Sequence, residues 1–135
     1  MERLRERLAT AQTALVTLHE LVRKPDRSKV ERDAAIQRFE YTFEATWKAA
    51  QLHLREVEGL EVGSPKRATR AALQVGLFDE AHARQMLAMV DDRNLNVHTY
   101  HEQLAGEIRS RLSGHAQLLQ HWLDQMAARI PESPA

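Results

Sequence analysis

The sequence predicts an all-α protein, an antiparallel bundle of about five helices, four long and one short. Three observations carry that expectation. Glycine and proline are scarce, five and four in 135 residues, while the strong helix formers Ala, Leu, Glu, Arg and Gln abound. Apolar residues recur at steps of three and four through each long segment, the period of a helix with one packed face. Ser or Asp stands just ahead of the periodic stretches, where a helix needs a side-chain oxygen to receive its first free N–H groups.

The first helix carries Leu4, Leu8, Ala11, Leu15, Leu18 and Val22 on one seam, and Pro25 ends it. Ser28 with Glu31 forms an S-x-x-E capping box that opens the second helix. There Ile36, Phe39, Phe43, Trp47, Ala50, Leu54 and Val57 hold the same spacing for about six turns. Such an aromatic stripe reads as core, not as a cofactor box. Gly59 and Gly63 bracket a loop, and Ser64-Pro65 restarts helix in the favoured N-cap and first-turn order. The third helix is short, Lys66 to about Val75, with Gly76 placed to end it. Asp79 caps a fourth helix that turns Met86, Leu87, Met89 and Val90 inward. The fifth runs from about Tyr100 to Arg129, with Leu104, Ile108, Leu112, Leu119, Trp122 and Met126 on one face. One domain over 1–130 and a fraying tail over 131–135 are expected.

Composition narrows the function. Nineteen basic and nineteen acidic residues cancel, so no global positive field announces nucleic-acid binding, and DNA is not an expected partner. The chain has no cysteine, which excludes disulfides, thiolate metal sites and cysteine nucleophiles and fits a cytoplasmic setting. No apolar run approaches the roughly 20 residues of a membrane span. The opening "MERLRERL" has no signal-peptide core, so no membrane association is expected.

One stretch departs from ordinary helix. "DDRNLNVHTY", Asp91 to Tyr100, gathers acids, an arginine, asparagines, a histidine and a tyrosine. In a continuous helix Arg93 and His98 would point about 140° apart, at ~100° per residue. Thr99 with Glu102 forms a second capping box, which predicts a helix break here and a new helix starting at Thr99. The N–H groups and dipole of that terminus would favour an anion beside His98 and Tyr100. Arg93 shares its row with Met86, Val90 and Val97, so it must find a partner or line a cleft. Spacing leaves two readings open. Arg93 pairs with Asp91, Asp92 or Glu102 beside a satisfied turn histidine, or the group forms a site.

Here the residues become familiar. "RNLNVHTY" resembles the R-x4-H-x-Y signature of HEPN-domain proteins, with polar Asn94 directly after the arginine. "RDAAIQRFEYTFEATWKAA", "GSPKRATRAALQVGLFDE" and "MLAMVDDRNLNVHTYHEQLAGEI" resemble the nucleotidyltransferase substrate-binding proteins, the small HEPN partners of minimal nucleotidyltransferases. The likeness covers roughly Arg32 to Ile108. It implies a HEPN-like bundle that forms a homodimer, with the motif of each protomer at the dimer cleft, where residues of two chains can meet. It also implies a toxin–antitoxin module: a ribonuclease toxin acting on RNA, silenced when the cognate minimal nucleotidyltransferase transfers AMP to the motif tyrosine. By position, Arg93 and His98 become the catalytic pair and Tyr100 the AMP acceptor, with Asn94, Asp92 and Glu102 in support. A second implied role is a non-catalytic, substrate-binding subunit of that transferase.

The implied chemistry is coherent. Histidine, with an ordinary pKa near ~6.5, can move protons for metal-independent attack by an RNA 2′-hydroxyl. Arginine offers a forked donor to phosphate oxygens. AMP on Tyr100 would place bulk and negative charge where substrate phosphate sits. Lys66, Arg67 and Arg70 on the third helix either follow an RNA backbone or form a solvated face. His82, His101, His115 and His121 are scattered, with no H-x3-H pair and acid on one helix. Asp91 and Asp92 lack the G-S-x10-D-x-D pattern of a nucleotidyltransferase. The chain thus reads as the partner, with no metal or cofactor of its own; ATP and Mg would enter through the transferase.

Overall fold

The computed structural model describes residues 1–95 and 102–131. Five helices and no strand occur among them: α1 (Glu2–Arg23), α2 (Lys29–Glu58), α3 (Pro65–Gln74), α4 (Glu80–Asn94) and α5 (Glu102–Arg129). The expected bundle of four long helices and one short one is the observed one.

Each boundary has a local cause. The Ser28 hydroxyl accepts from the Glu31 N–H while Glu31 reaches back to the Ser28 N–H, both at 3.1 Å, completing the capping box. Ser64 accepts from the Arg67 N–H at 3.2 Å ahead of Pro65, and Asp79 from the His82 N–H at 2.8 Å. Gly59 ends α2 at φ 71°, a left-handed conformation that side chains with a Cβ resist, and the Leu60 N–H closes onto the Leu54 carbonyl. Gly76 does the same after α3 at φ 75°. Arg129 on α5 then donates to the Val75 and Gly76 carbonyls, both at 2.8 Å, tying the end of α3 to the far end of the bundle. α4 stops at Asn94, and Leu95 is extended. A break was expected here; the Thr99 cap proposed for the next helix lies outside the described residues, as does the tail beyond Pro131.

α1 packs along α2, and α5 lies against both; α3 pairs with α4, α3 also resting on α2 and α4 on α5. The predicted seams are the packed ones. Leu4, Ala11, Leu15 and Leu18 of α1 are buried, with Leu8 and Val22 half-buried at the rim. Ile36, Phe39, Phe43, Trp47, Ala50 and Leu54 of α2 are buried against Ile108, Leu112, Leu119, Trp122 and Met126 of α5 and Met86, Met89 and Val90 of α4. α2 buries more than its predicted stripe because it has neighbours on several sides. Thr42 and Thr46 are fully enclosed, their hydroxyls donating to carbonyls one turn back at 2.7 and 2.8 Å.

Two side chains depart from this satisfied interior among the described residues, the Trp122 indole N–H and, as the titratable one, His53. It is fully enclosed, and neither ring nitrogen has a partner. Burial holds its pKa below the ordinary 6.5, so the folded protein keeps it neutral. The unfolded chain then binds the extra proton, and its stabilisation of the unfolded state grows as pH falls below about 6.5. Urea unfolding should therefore show stability declining from pH 7.5 to 5.5. His53→Leu should flatten part of that decline and raise stability at neutral pH by about 1–2 kcal/mol. An unchanged slope in the variant would assign the pH dependence to other groups.

Candidate functional site

The last turn of α4 is the centre of the candidate site. Successive helical residues point about 100° apart, so Asp91, Asp92 and Arg93 aim at three different neighbours. Asp91 meets Lys66 of α3 at 2.7 Å. Asp92 turns to α5, where Arg111 binds it in a two-point grip at 2.8 and 2.9 Å and His115 Nε2 lies 2.7 Å away. Arg93 turns to α2, its Nη2 donating to Glu44 Oε2 at 2.7 Å. Three consecutive side chains thus bind three helices.

The Arg93 arm is a small network. Glu44 Oε2 also accepts from Trp47 Nε1 at 3.0 Å, which fixes the carboxylate that holds the arginine. The guanidinium lies 5.5 Å from the Phe43 ring centroid, and Nη1 reaches Asn94 Oδ1 at 3.4 Å, a long contact. Arg93 is one-third exposed, so one edge of its fork is still open to solvent.

The Asp92 arm is the buried one. Asp92 and His115 are about nine-tenths enclosed, and the His115 ring stacks on Phe39 at 5.1 Å. Burial pushes the Asp92 carboxyl up, but the bonds from Arg111 and His115 outweigh it and hold it below the ordinary range. Burial also dominates at His115 and keeps the ring below its ordinary pKa despite the aspartate. At neutral pH it is a neutral donor. Arg111 is raised by its bond to Asp92.

The sequence-predicted residues are only partly brought together. Arg93 and Asn94 share one edge of the turn. Asp92 supports the turn from the α5 side and does not touch Arg93. Glu102 takes a different partner, accepting from Arg109 at 2.7 Å, and that bond lowers its pKa. The pairing of Arg93 with Asp91, Asp92 or Glu102 is therefore corrected: its carboxylate is Glu44. Lys66 is engaged with Asp91, while Arg67 and Arg70 are exposed on α3. His98 and Tyr100 lie outside the described residues, as do Thr99 and His101.

Sequence reasoning missed Glu44, Arg111 and His115. Glu44 flanks the aromatic stripe beside Phe43 and Trp47 and is partly exposed, and its place at the edge of that row was the only signal. Arg111 and His115, one turn apart on α5, gave none without knowledge of the α4–α5 register. The histidines that look scattered are also paired in space. His82 and His121 stack at 4.1 Å across α4 and α5, with Asp79 on His82 Nδ1 at 2.7 Å. They border a hollow of about 500 Å³ that also meets Gln85, Arg111, Gly114 and His115. Among the described residues no group of three His, Asp or Glu could hold a metal ion. No helix there is long and apolar enough to cross a membrane.

A five-helix bundle with a polar, cross-braced turn at the end of α4 defines the class of the protein, and comparison assigns it. The family model described as "nucleotidyltransferase substrate binding protein like" matches residues 6–128. The chain belongs to that family. A crystal structure of a protein from Thermus thermophilus is 57% identical, with a TM-score of 0.82 over 86% of this chain and 98% of that one. A Haemophilus influenzae protein, 21% identical, shares the fold with a TM-score of 0.73 over 89% of this chain and 98% of its own. Its structure is described as revealing the fold of a substrate binding domain of a nucleotidyltransferase. A search of curated proteins returns no match.

The two neighbouring aspartates should respond differently to removal. Asp92→Ala leaves a buried histidine without its acceptor and should cost about 1–3 kcal/mol. Asp91→Ala breaks an exposed pair and should cost less than about 1 kcal/mol. Chemical denaturation of the two variants decides it; equal losses would remove Asp92 as the brace.

Proposed function

We propose that the chain is a non-catalytic partner subunit of a nucleotidyltransferase, one that binds or presents the substrate of that enzyme. The closed pair between Arg93 and Glu44 carries this reading. An arginine that stabilises charge growing on a phosphorane needs its fork free and its charge uncompensated. Here Nη2 is committed to a carboxylate of the same chain, and that carboxylate is itself held by Trp47. The family match across all five helices supports the same assignment. In this scheme ATP and Mg belong to the transferase, and two copies of the chain form the unit it meets.

The R-x4-H-x-Y pattern of Arg93, His98 and Tyr100 favours a second reading: a ribonuclease toxin silenced by AMP transfer to Tyr100. It requires Arg93 to leave Glu44 or to act through its open edge, with His98 moving the protons.

The purified chain, mixed with a minimal nucleotidyltransferase encoded in a neighbouring reading frame, should form a stable complex in size-exclusion chromatography with light scattering. Alone, it should neither cleave RNA nor arrest growth when expressed. Cleavage abolished by both His98→Ala and Arg93→Ala would overturn the non-catalytic assignment in favour of the toxin. Intact mass after incubation with the transferase and ATP tests the silencing step. An added AMP mass that Tyr100→Phe removes supports that second reading, and no added mass counts against it.

A further inference from the structure

Some cations of the chain meet an acid and others do not. Lys66, Arg93, Arg109, Arg111 and Arg129 each close onto a carboxylate. Arg3, Arg7 and Arg55 have no hydrogen bond or ion pair among the described residues, and Lys48 lies over the Trp47 ring, 4.6 Å from its centroid. Arg23, Lys29, Arg32, Arg38, Arg67 and Arg70 also have no ion pair among the described residues, but none of them lines the cleft described next. Arg3, Arg7, Lys48 and Arg55 instead meet around one cleft. Arg3 and Arg7 enter it from α1, Lys48 and Arg55 from α2, and the connection after α2 closes it with Glu61 and Val62. The cleft holds about 190 Å³. Its loop wall is fixed by Gln51, which donates to the Val62 carbonyl at 2.8 Å.

Four cations against a single carboxylate is a concentrated field in a chain whose overall charge is zero. Nineteen acids were available to neutralise these groups, and they do so at Lys66, Arg93, Arg109, Arg111 and Arg129. A hollow lined by one sign of charge focuses field lines and gathers the opposite ion. Three of the four cations are guanidinium forks, the donor geometry that fits phosphate oxygens at two points.

We propose that this cleft binds the oligophosphate chain of a nucleotide. Size restricts the occupant. The cleft is smaller than the roughly 300–1,000 Å³ of a pocket that encloses a whole drug-sized ligand, so it takes the phosphates and leaves the nucleoside outside. A second hollow of about 310 Å³ adjoins it, sharing Arg3 and Arg7 and bordered by Glu6, Thr10 and Ala45. That hollow receives the nucleoside. The cleft also connects to the α4 turn through side chains in contact: Lys48 on Trp47, Trp47 on Glu44, and Glu44 on Arg93. A nucleotide bound here lies one turn of α2 from the carboxylate that holds Arg93.

Calorimetric titration of the isolated full chain with ATP, inorganic tripolyphosphate and adenosine tests the proposal without any partner, so its outcome is independent of the partner assignment. ATP and tripolyphosphate should bind, and adenosine alone should not. Affinity should fall as salt rises from about 50 to about 300 mM. Arg7→Gln and Arg55→Gln should each weaken ATP binding about tenfold, while Arg67→Gln should leave it unchanged. These arginines are exposed, and thermal melts monitored by circular dichroism check that the variants fold. The contrast between tripolyphosphate and adenosine needs no variant at all. Adenosine binding as well as ATP, or cleft variants binding ATP like wild type, would overturn the assignment. So would a single-stranded RNA oligomer that binds and is not displaced by ATP, since the cleft would then serve a nucleic-acid backbone.

Discussion

The geometry of the site depends on one helical turn that is held from three sides. Because consecutive residues of a helix diverge by about 100°, Asp91, Asp92 and Arg93 cannot share a partner, and they do not. They reach Lys66 of α3, Arg111 and His115 of α5, and Glu44 of α2. The three bonds are unequal. The exposed pair of Asp91 contributes little, and the half-exposed pair of Arg93 more. The enclosed Asp92 arm contributes most, because leaving any of its members unpaired would strand a buried polar group. The last turn of α4 is therefore held chiefly by Asp92, while the residue with the clearest chemistry, Arg93, sits on a weaker hold.

That division explains what was legible in the sequence. Helices were legible because their causes are local: the Ser28–Glu31 box, Ser64-Pro65, Asp79, and the glycines at 59 and 76 each act within a few residues. The packed faces were legible because a period of 3.6 selects them whatever they pack against. A break after α4 was legible from its own dense run of polar residues. The partners of its last turn could not be read. Arg93 and Glu44 are 49 positions apart, and Asp92 and His115 are 23 apart. Which carboxylate meets which cation depends on how far one helix slides along another, and no periodicity records that. The sequence-local candidates Asp91, Asp92 and Glu102 were therefore the natural partners to name for Arg93, and the wrong ones. Glu44 was visible only as a charge at the edge of the Phe43–Trp47 row.

The same long-range registry sorts the charges of the molecule. A net charge of zero suggests an electrostatically bland surface, yet zero is a sum over pairs that exist and pairs that do not. On α3, α4 and α5, Lys66 is matched with Asp91, Arg111 with Asp92 and Arg109 with Glu102. Between α1 and α2, Arg3, Arg7, Lys48 and Arg55 line one cleft with Glu61 as its single acid, and Glu6 borders the adjoining hollow. Mutual repulsion makes such a grouping unfavourable in the empty protein. It is compatible with a stable fold because the groups are exposed and solvated, and it becomes favourable when an anion enters.

The two polar regions meet at Trp47. Its indole N–H fixes Glu44, and its ring faces the Lys48 ammonium. Any anion that draws Lys48 off the ring changes the surroundings of the side chain that orients Glu44. Glu44 in turn decides how firmly Arg93 is held. A phosphate approaching Arg93 directly must compete with a carboxylate already at 2.7 Å, an exchange of one anion for another that gains little energy. A phosphate in the α1–α2 cleft meets no such competitor. On electrostatic grounds alone the cleft should fill first. The α4 turn would then meet its substrate with a charged ligand already in place one helical turn away.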